Sequence, residues 1–246
     1  MFLPNKVNHT KIFEKSMDQT ITRSDIEYLL DEDNIALPQL MRSASAIRDH
    51  GKGNVITYSP KVFIPLTKLC RDTCGYCTFR KDPGDVSLYM SPEEILRLAK
   101  SGEDLGCTEA LFTLGERPEQ KYPEAKRWLK NEGFSSTSEY LIHCSEIVLN
   151  EGIFPHTNAG NLTKNEMREL QKTNVSMGVM LESSSPRLRE KGMPHEDAPS
   201  KDPSARLEIL KNSGEWNDRL IRYVEYPVVC SDFLTSHRIY SSNYLS

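Results

Sequence analysis

Long apolar runs and an excess of positive charge are both missing from this 246-residue sequence. No apolar stretch approaches the roughly 18–20 residues that a membrane-spanning helix needs, and the first residues lack the apolar segment of a signal peptide. Lys and Arg number 31 against 35 Asp and Glu, whereas a protein that follows a phosphate backbone normally carries a basic excess. We therefore expect a cytoplasmic protein that binds neither a membrane nor a nucleic acid.

Apolar residues are also few, at 37%, and the mean hydropathy is -0.54. The length is nevertheless sufficient for one α/β barrel, which commonly uses about 250 residues. Because a chain that is not exported keeps its thiols reduced, the six cysteines are interpreted as ligands or nucleophiles rather than as disulfides.

Strand and helix patterns alternate through the middle of the chain. Runs of β-branched and aromatic residues predict strands, and amphipathic segments that begin with capping residues predict helices. The predicted strands are 55–58, 61–67, 109–114, 153–158 and 175–181, and the predicted helices are 91–106, 123–131, 137–150, 163–172 and 203–212. Such alternation is typical of a parallel sheet with helices outside it. The expected fold is therefore α/β, with a partial TIM-like barrel.

Three segments are predicted along the chain. Residues 1–54 form a helical N-terminal extension, in which residues 1–20 are a loose leader and two helices follow. Residues 55–215 form the partial barrel, and residues 216–246 lack the strand–helix alternation.

Three cysteines follow the strand predicted at 61–67, with the spacing C-x3-C-x2-C: Cys70, Cys74 and Cys77. In a parallel α/β fold the carboxyl ends of the strands carry the active site, and thiolates suit iron–sulfur clusters or zinc. A structural zinc site normally has four ligands, so Cys107, Cys144 or a histidine would have to complete one. A [4Fe–4S] cluster on three cysteines instead leaves one iron open.

The cysteine motif resembles the signature of the radical S-adenosylmethionine superfamily, C-x3-C-x-aromatic-C, with Tyr76 at the aromatic position. The resemblance implies a barrel of the radical S-adenosylmethionine type with a [4Fe–4S] cluster on Cys70, Cys74 and Cys77. It also implies that the open iron binds the methionine part of S-adenosylmethionine, which is cleaved to methionine and a 5′-deoxyadenosyl radical.

Further segments are similar to the CofG-type subunit 1 of FO synthase, from about residue 55 to residue 215. These segments are KLCRDTCGYCTFRKDPGD, FTLGERPE, PHTNAG, MLESSSPRL and KDPSARLEIL. The resemblance implies a radical lyase of coenzyme F420 biosynthesis, which forms the deazaflavin FO from the adduct of tyrosine and 5-amino-6-(D-ribitylamino)uracil with loss of ammonia. It also implies a CofH-type partner subunit and an electron donor such as a ferredoxin or flavodoxin.

The resemblance assigns binding roles to individual residues. Together with Tyr76, Gly115 and Glu116 bind S-adenosylmethionine at the place of a Gly-Gly-Glu motif, in which Leu114 here replaces the first glycine. Glu182 matches the acid that contacts the ribose hydroxyls, and Arg206 matches the arginine that pairs with the methionyl carboxylate. The residues expected to face the organic substrate are His156, Asn158 and His195.

The tail departs from the family pattern. It lacks the apolar strand and the glycine-rich strand end that follow in the family, so we expect a truncated or frame-shifted chain of lowered stability. Three alternatives stay open at this point: a related radical enzyme of menaquinone or deazaflavin biosynthesis, an inactive fragment that binds a cluster, and a zinc-binding structural protein.

Overall fold

A computed structural model describes residues 6–18, 20–30 and 37–215 of the chain. The chain divides into two compact units, residues 1–58 and residues 59–246. The segment 216–246, predicted to be an unmatched tail, lies outside the described residues. Within the described part, no helix is long and apolar enough to cross a membrane.

The first unit is helical, which confirms the predicted helical extension. Its helices are α1 (Lys6–Met17), α2 (Arg23–Leu30) and α3 (Leu37–Lys52). The prediction of a loose leader was wrong, because α1 occupies most of residues 1–20. Thr22 caps the start of α2: its Oγ1 accepts from the Asp25 N–H at 3.3 Å, and Asp25 Oδ2 accepts in return from the Thr22 N–H at 2.8 Å.

The second unit contains one parallel sheet with helices between its strands, as predicted. The strands are β1 (Lys61–Thr67), β2 (Glu109–Leu114), β3 (Phe154–Asn158) and β4 (Ser176–Met177), in the order β1-β2-β3-β4. The helices are α4 (Pro92–Asp104), α5 (Pro123–Asn131), α6 (Thr137–Asn150), α7 (Lys164–Gln171) and α8 (Pro203–Glu215). Every neighbouring pair of strands is parallel, so the predicted α/β class is confirmed.

Local signals explain why the helices begin where they do. Ser91 and Glu94 form a capping box at the start of α4, and Thr163 and Glu166 form a second one at the start of α7. In each box the serine or threonine oxygen accepts from a backbone N–H, and the glutamate accepts in return. The helices then pack on the sheet through fully buried side chains such as Ile95, Phe112 and Tyr140.

Two strand predictions were wrong. Residues 55–58 are not in a strand, and Val55, Ile56 and Tyr58 are 74%, 83% and 87% exposed. The fourth strand covers only Ser176–Met177 rather than 175–181. β-branched and aromatic residues favour a strand only where a partner strand and a buried face are available.

Candidate active site

The segment 70–77, which carries the three cysteines and is called the cysteine loop below, follows the carboxyl end of β1. Cys70 and Cys74 are half-buried, Cys77 is exposed, and all three are free thiols. Two backbone N–H groups donate to their sulfurs, from Glu116 to Cys70 at 3.2 Å and from Arg80 to Cys77 at 3.4 Å. Burial raises the pKa of Cys70 and raises the pKa of Cys74 to about 11, so both are thiols without a metal.

The cysteine loop is hydrogen-bonded to a second loop, residues 194–200. The Thr73 N–H donates to the Asp197 carbonyl at 2.7 Å, and the Gly75 N–H donates to the Pro194 carbonyl at 2.8 Å. The buried carboxylate of Asp72 accepts hydrogen bonds from the N–H and the hydroxyl of Ser200. Asp72 lies within the cysteine motif, between Cys70 and Cys74. The spacing of the motif does not indicate that its partner is Ser200, 128 residues away.

The end of β2 runs against the start of the cysteine loop. The Gly115 N–H donates to the Thr67 carbonyl at 3.0 Å, and the Arg71 N–H donates to the Glu116 carbonyl at 2.8 Å. A Cβ at position 115 would overlap the carbonyl oxygen of Leu69. Only glycine therefore allows this close approach of the two backbones.

Glu116 is buried beside Cys70 with one oxygen still free to accept a hydrogen bond. Its Oε2 accepts from the Asn161 N–H at 3.0 Å, whereas its buried Oε1 has no hydrogen-bond partner. The nearest cations are the guanidinium groups of Arg117 and Arg71, at 3.6 and 3.9 Å from Oε1. Burial raises the pKa of Glu116, against the influence of the Asn161 hydrogen bond and the two arginines.

A second carboxylate, Glu182, connects the cysteine loop with the residues after β4. Tyr76 Oη donates to Glu182 Oε2 at 2.6 Å and lies 2.8 Å from His195 Nε2. Lys201 Nζ donates to Glu182 Oε1, and Arg206 Nη1 is 3.8 Å from the same oxygen. Burial raises the pKa of Glu182, but the hydrogen bonds from Lys201 and Tyr76 outweigh it, so this pKa is below its usual value.

Arg206 is held in place by main-chain carbonyls. Its Nε donates to the Ser200 carbonyl at 3.0 Å, and its Nη1 donates to the Met180 carbonyl. The Ser200 carbonyl also accepts from Asn161 Nδ2 at 3.0 Å. The Ser200 carbonyl therefore accepts from both Arg206 and Asn161, and the Asn161 N–H donates to Glu116. Ser200 also donates to Asp72 of the cysteine loop.

The structure brings most of the predicted site residues together, with two exceptions. Tyr76, Glu182, His195 and Arg206 form one contact group, and Gly115 and Glu116 adjoin Cys70. Asn158 ends β3 opposite Thr113 of β2, at the carboxyl edge of the sheet, and no hydrogen bond among the described residues joins its side chain to this group.

His156 lies elsewhere. It contacts Lys61 at 3.2 Å and Ser176 at 2.5 Å, and these residues begin β1 and β4. His156 is the middle residue of β3, and these contacts direct its side chain toward the amino ends of β1 and β4, whereas the cysteine loop leaves β1 at its carboxyl end. Sequence reasoning assigned no role to Asp72, Asn161, Ser200 and Lys201, whose partners are distant in the chain.

The residues of the cysteine loop fit an iron–sulfur cluster by their chemistry. Three free thiols are available, with N–H donors to two of the sulfurs, and the spare Glu116 oxygen next to Cys70 suits an ammonium group. Among the residues that the structure describes, no three His, Cys, Asp or Glu side chains converge closely enough to hold a metal ion. The three sulfurs are thus on one loop and are not arranged around a single metal ion.

Residues 64–215 match the family model described as the Radical SAM superfamily, and the chain therefore belongs to this superfamily. Within it, the chain is 50% identical over 163 residues to a 7,8-didemethyl-8-hydroxy-5-deazariboflavin synthase of Methanopyrus kandleri. It is 46% identical over 190 residues to an FO synthase of Nocardia farcinica and 45% identical over 195 residues to one of Mycobacterium tuberculosis. The resemblance to FO synthase drawn from the motifs is confirmed.

These relatives are longer than the matched region. The alignment with the Methanopyrus kandleri protein covers 65% of this chain and 49% of that protein. With the Nocardia farcinica and Mycobacterium tuberculosis proteins it covers 72% of this chain and 22% and 23% of theirs. The chain thus spans about half or less of the relatives that it matches.

Solved structures support the fold. The FeFe-hydrogenase maturase HydG from Carboxydothermus hydrogenoformans superposes with a TM-score of 0.63 at 24% identity, over 88% of this chain and 47% of that chain. Methylornithine synthase (PylB) superposes with a TM-score of 0.60 at 17% identity, over 85% of this chain and 57% of that chain. At these identities the likeness concerns the fold alone, and it agrees with the predicted barrel-like architecture.

Proposed function

We propose that this chain is the radical-forming part of an FO synthase. In this proposal Cys70, Cys74 and Cys77 hold a [4Fe–4S] cluster, and the neighbouring side chains hold S-adenosylmethionine. The cluster would supply the electron that cleaves S-adenosylmethionine to methionine and a 5′-deoxyadenosyl radical. The product would be the deazaflavin FO, formed from the adduct of tyrosine and 5-amino-6-(D-ribitylamino)uracil with loss of ammonia.

The observation that carries the proposal is the position of Glu116 relative to Cys70. The Glu116 N–H donates to the Cys70 sulfur at 3.2 Å, and Oε1 of the same residue is buried without a hydrogen-bond partner. An acceptor left unpaired in this way is costly unless a ligand donates to it. The methionyl ammonium offers three N–H donors and would be needed next to the cluster.

Other side chains have matching roles in the proposal. Glu182 accepts from the ribose hydroxyls, and Arg206 binds the methionyl carboxylate with its planar guanidinium. Tyr76 belongs to the nucleoside side because its hydroxyl contacts Glu182. Asn158 and His195 are the proposed substrate-facing residues, whereas His156, among Lys61 and Ser176, is better placed for a structural role.

The proposed partners are those that the resemblance to FO synthase implies. A CofH-type subunit supplies the adduct, and a ferredoxin or flavodoxin supplies the electron. We also propose the cytoplasm as the location, because a cluster on these cysteines requires reduced thiols.

The test is anaerobic reconstitution with iron and sulfide, followed by electron paramagnetic resonance of the reduced protein with and without S-adenosylmethionine. We expect a [4Fe–4S] signal that shifts when S-adenosylmethionine is added. The variant Cys77→Ala is expected to lose the cluster, and the matched control Cys107→Ala, outside the cysteine loop, is expected to keep it. Glu116→Gln is expected to keep the cluster and to weaken the response to S-adenosylmethionine.

Other outcomes would contradict the proposal. Zinc in place of iron and sulfide would indicate the structural zinc protein, and a cluster that ignores S-adenosylmethionine would indicate an inactive cluster-binding fragment. Incubation with the CofH-type subunit and mass spectrometry of the products separates FO formation from the chemistry of a menaquinone-pathway relative.

A further inference from the structure

Glu182 is a buried carboxylate in a strained backbone position. Its side chain is 9% exposed, and its φ is 61°, in the left-handed region that residues with a Cβ rarely adopt. Such a conformation persists only where the surrounding contacts hold it.

A carboxylate has about four positions at which it accepts hydrogen bonds. Oε2 accepts a hydrogen bond from Tyr76 Oη at 2.6 Å, and His195 Nε2 lies 3.0 Å from the same oxygen. Oε1 accepts from Lys201 Nζ, and Arg206 at 3.8 Å is beyond hydrogen-bond distance. One acceptor position on Oε1 thus remains for a further donor.

Lys201 is the cation that hydrogen-bonds to Oε1 of this carboxylate, whereas Arg206 lies 3.8 Å from the same oxygen. The Lys201 side chain is 16% exposed, and the Lys201 N–H donates to the Ala198 carbonyl at 3.0 Å in the turn Pro199–Lys201. The residue before it, Ser200, binds Asp72 of the cysteine loop. The backbone that carries Lys201 is therefore fixed to the same loop that carries the three cysteines.

We infer that Lys201 is a positioning residue for nucleoside binding: it holds Glu182 so that Oε1 keeps one acceptor position for a ribose hydroxyl. This inference rests on the proposed function, because Glu182 must face a nucleoside. Lys201 touches Glu182 and acts through it, without a contact of its own to the ribose. Removal of the lysine leaves the carboxylate without its hydrogen-bonded cation, and the carboxylate then reorients, for example toward Arg206, or loses its charge.

The experiment measures binding of S-adenosylhomocysteine by titration calorimetry, to the cluster-free chain and to the reconstituted chain. For Lys201→Met we expect about tenfold weaker binding, the size of one hydrogen bond to a charged group. Lys201→Arg is expected to restore the affinity to within about threefold, since it returns the charge and the donors. The control is Lys191→Met, which removes an exposed lysine of the same region and is expected to bind like the unmodified chain.

A double-mutant cycle distinguishes positioning from a general structural role. If Lys201 acts through Glu182, Lys201→Met causes no additional loss of affinity in a Glu182→Gln background. This background also removes the unpaired charge, so the comparison remains possible if Lys201→Met alone does not fold. Circular dichroism of every variant checks the fold.

Three results overturn the inference. Unchanged or tighter binding by Lys201→Met would show that the lysine is neutral or competes with the ribose. A full additional loss in the Glu182→Gln background would show that Lys201 acts elsewhere. Absence of binding by the unmodified chain would overturn both this inference and the proposed function, whereas binding that is insensitive to Lys201 overturns the inference alone.

Discussion

Two glycines allow the backbone to approach the candidate site closely. At Gly115 a Cβ would overlap the Leu69 carbonyl oxygen, and at Gly160, with φ of 72°, it would overlap Glu116 Oε2. The Leu69 carbonyl is a backbone group, and it cannot move without displacing the start of the cysteine loop. At Gly160 the obstacle is the carboxylate that accepts from Asn161. Both positions therefore govern where Glu116 and Cys70 lie.

We predict that Gly115→Ala destabilises the chain by about 1–3 kcal/mol, the usual range for overpacking, and weakens cluster incorporation. Urea unfolding and the iron content after reconstitution measure the two effects. The control is Gly51→Ala in α3, where nothing lies within 4 Å of the added Cβ. Alanine is the better helix former, so this control is expected to be neutral or slightly stabilising. Equal stability of both variants would show that β2 and the cysteine loop do not meet as described.

Near the amino ends of the strands, four side chains form a partly buried polar cluster. Lys61 Nζ lies 2.7 Å from Glu109 Oε2 and 3.2 Å from His156 Nδ1, which in turn contacts Ser176 Oγ at 2.5 Å. Burial lowers the pKa of His156 to about 4, helped by Lys61 and opposed by Glu109. The imidazole is therefore neutral in the folded chain at neutral pH.

The lowered pKa of His156 makes the stability of the chain depend on pH. His156 binds its proton near pH 6.5 when unfolded and near pH 4 when folded, so acid favours the unfolded state. We predict that the free energy of unfolding is unaffected by His156 above about pH 6.5 and falls as the pH is lowered to about 4. The loss attributable to this residue is at most about 3 kcal/mol.

Urea unfolding between pH 7.5 and 4 measures this loss, with His156→Gln as the comparison. The variant removes the titrating group, so its stability is expected to fall less over the same interval. Curves that run parallel for the two proteins would contradict a buried neutral His156.

The elements differ in how well their sequences predict them. Helices α5 and α6 lie at the predicted residues, because caps and amphipathic spacing act within one or two turns. The segment 55–58 has equally favourable strand residues and forms no strand, because pairing depends on residues far away in the sequence. Likewise, the predicted lengths of β1, β2 and β3 were nearly correct, whereas β4 is shorter.

At the scale of the whole molecule, one face of the sheet exposes aromatic side chains. Phe63 and Phe154 are 47% and 50% exposed. The register pairs Lys61, Glu109 and Phe154, and it pairs Phe63, Leu111 and His156, so these side chains share one face. Exposed aromatic groups on a sheet favour dye binding and self-association.

We predict that Phe154→Thr lowers the fluorescence of bound anilinonaphthalene sulfonate and costs less than about 1 kcal/mol of stability, since a half-exposed side chain contributes little by burial. Threonine keeps the preference for a strand. The comparison is Phe112→Thr, fully buried on the opposite face of β2, which is expected to cost several kcal/mol. A large loss for Phe154→Thr would mean that this face is covered.

The sequence alone determined the features that depend on residues close together in the chain. The three-cysteine spacing with Tyr76 identified the superfamily, and the capping boxes of Ser91 and Thr163 located the starts of α4 and α7. These signals are readable because their partners lie within one turn of helix or one loop.

Only the tertiary structure decided which distant side chains meet. It brought Tyr76 to Glu182, 106 residues away, and Ser200 to Asp72, 128 residues away. It also directed the His156 side chain toward Lys61 and Ser176, which begin β1 and β4, although Asn158, only two residues later, ends β3 at the carboxyl edge. Contacts of this kind depend on the register of the sheet and on the path of the loops, which are set by packing over the whole unit rather than by neighbours in the sequence.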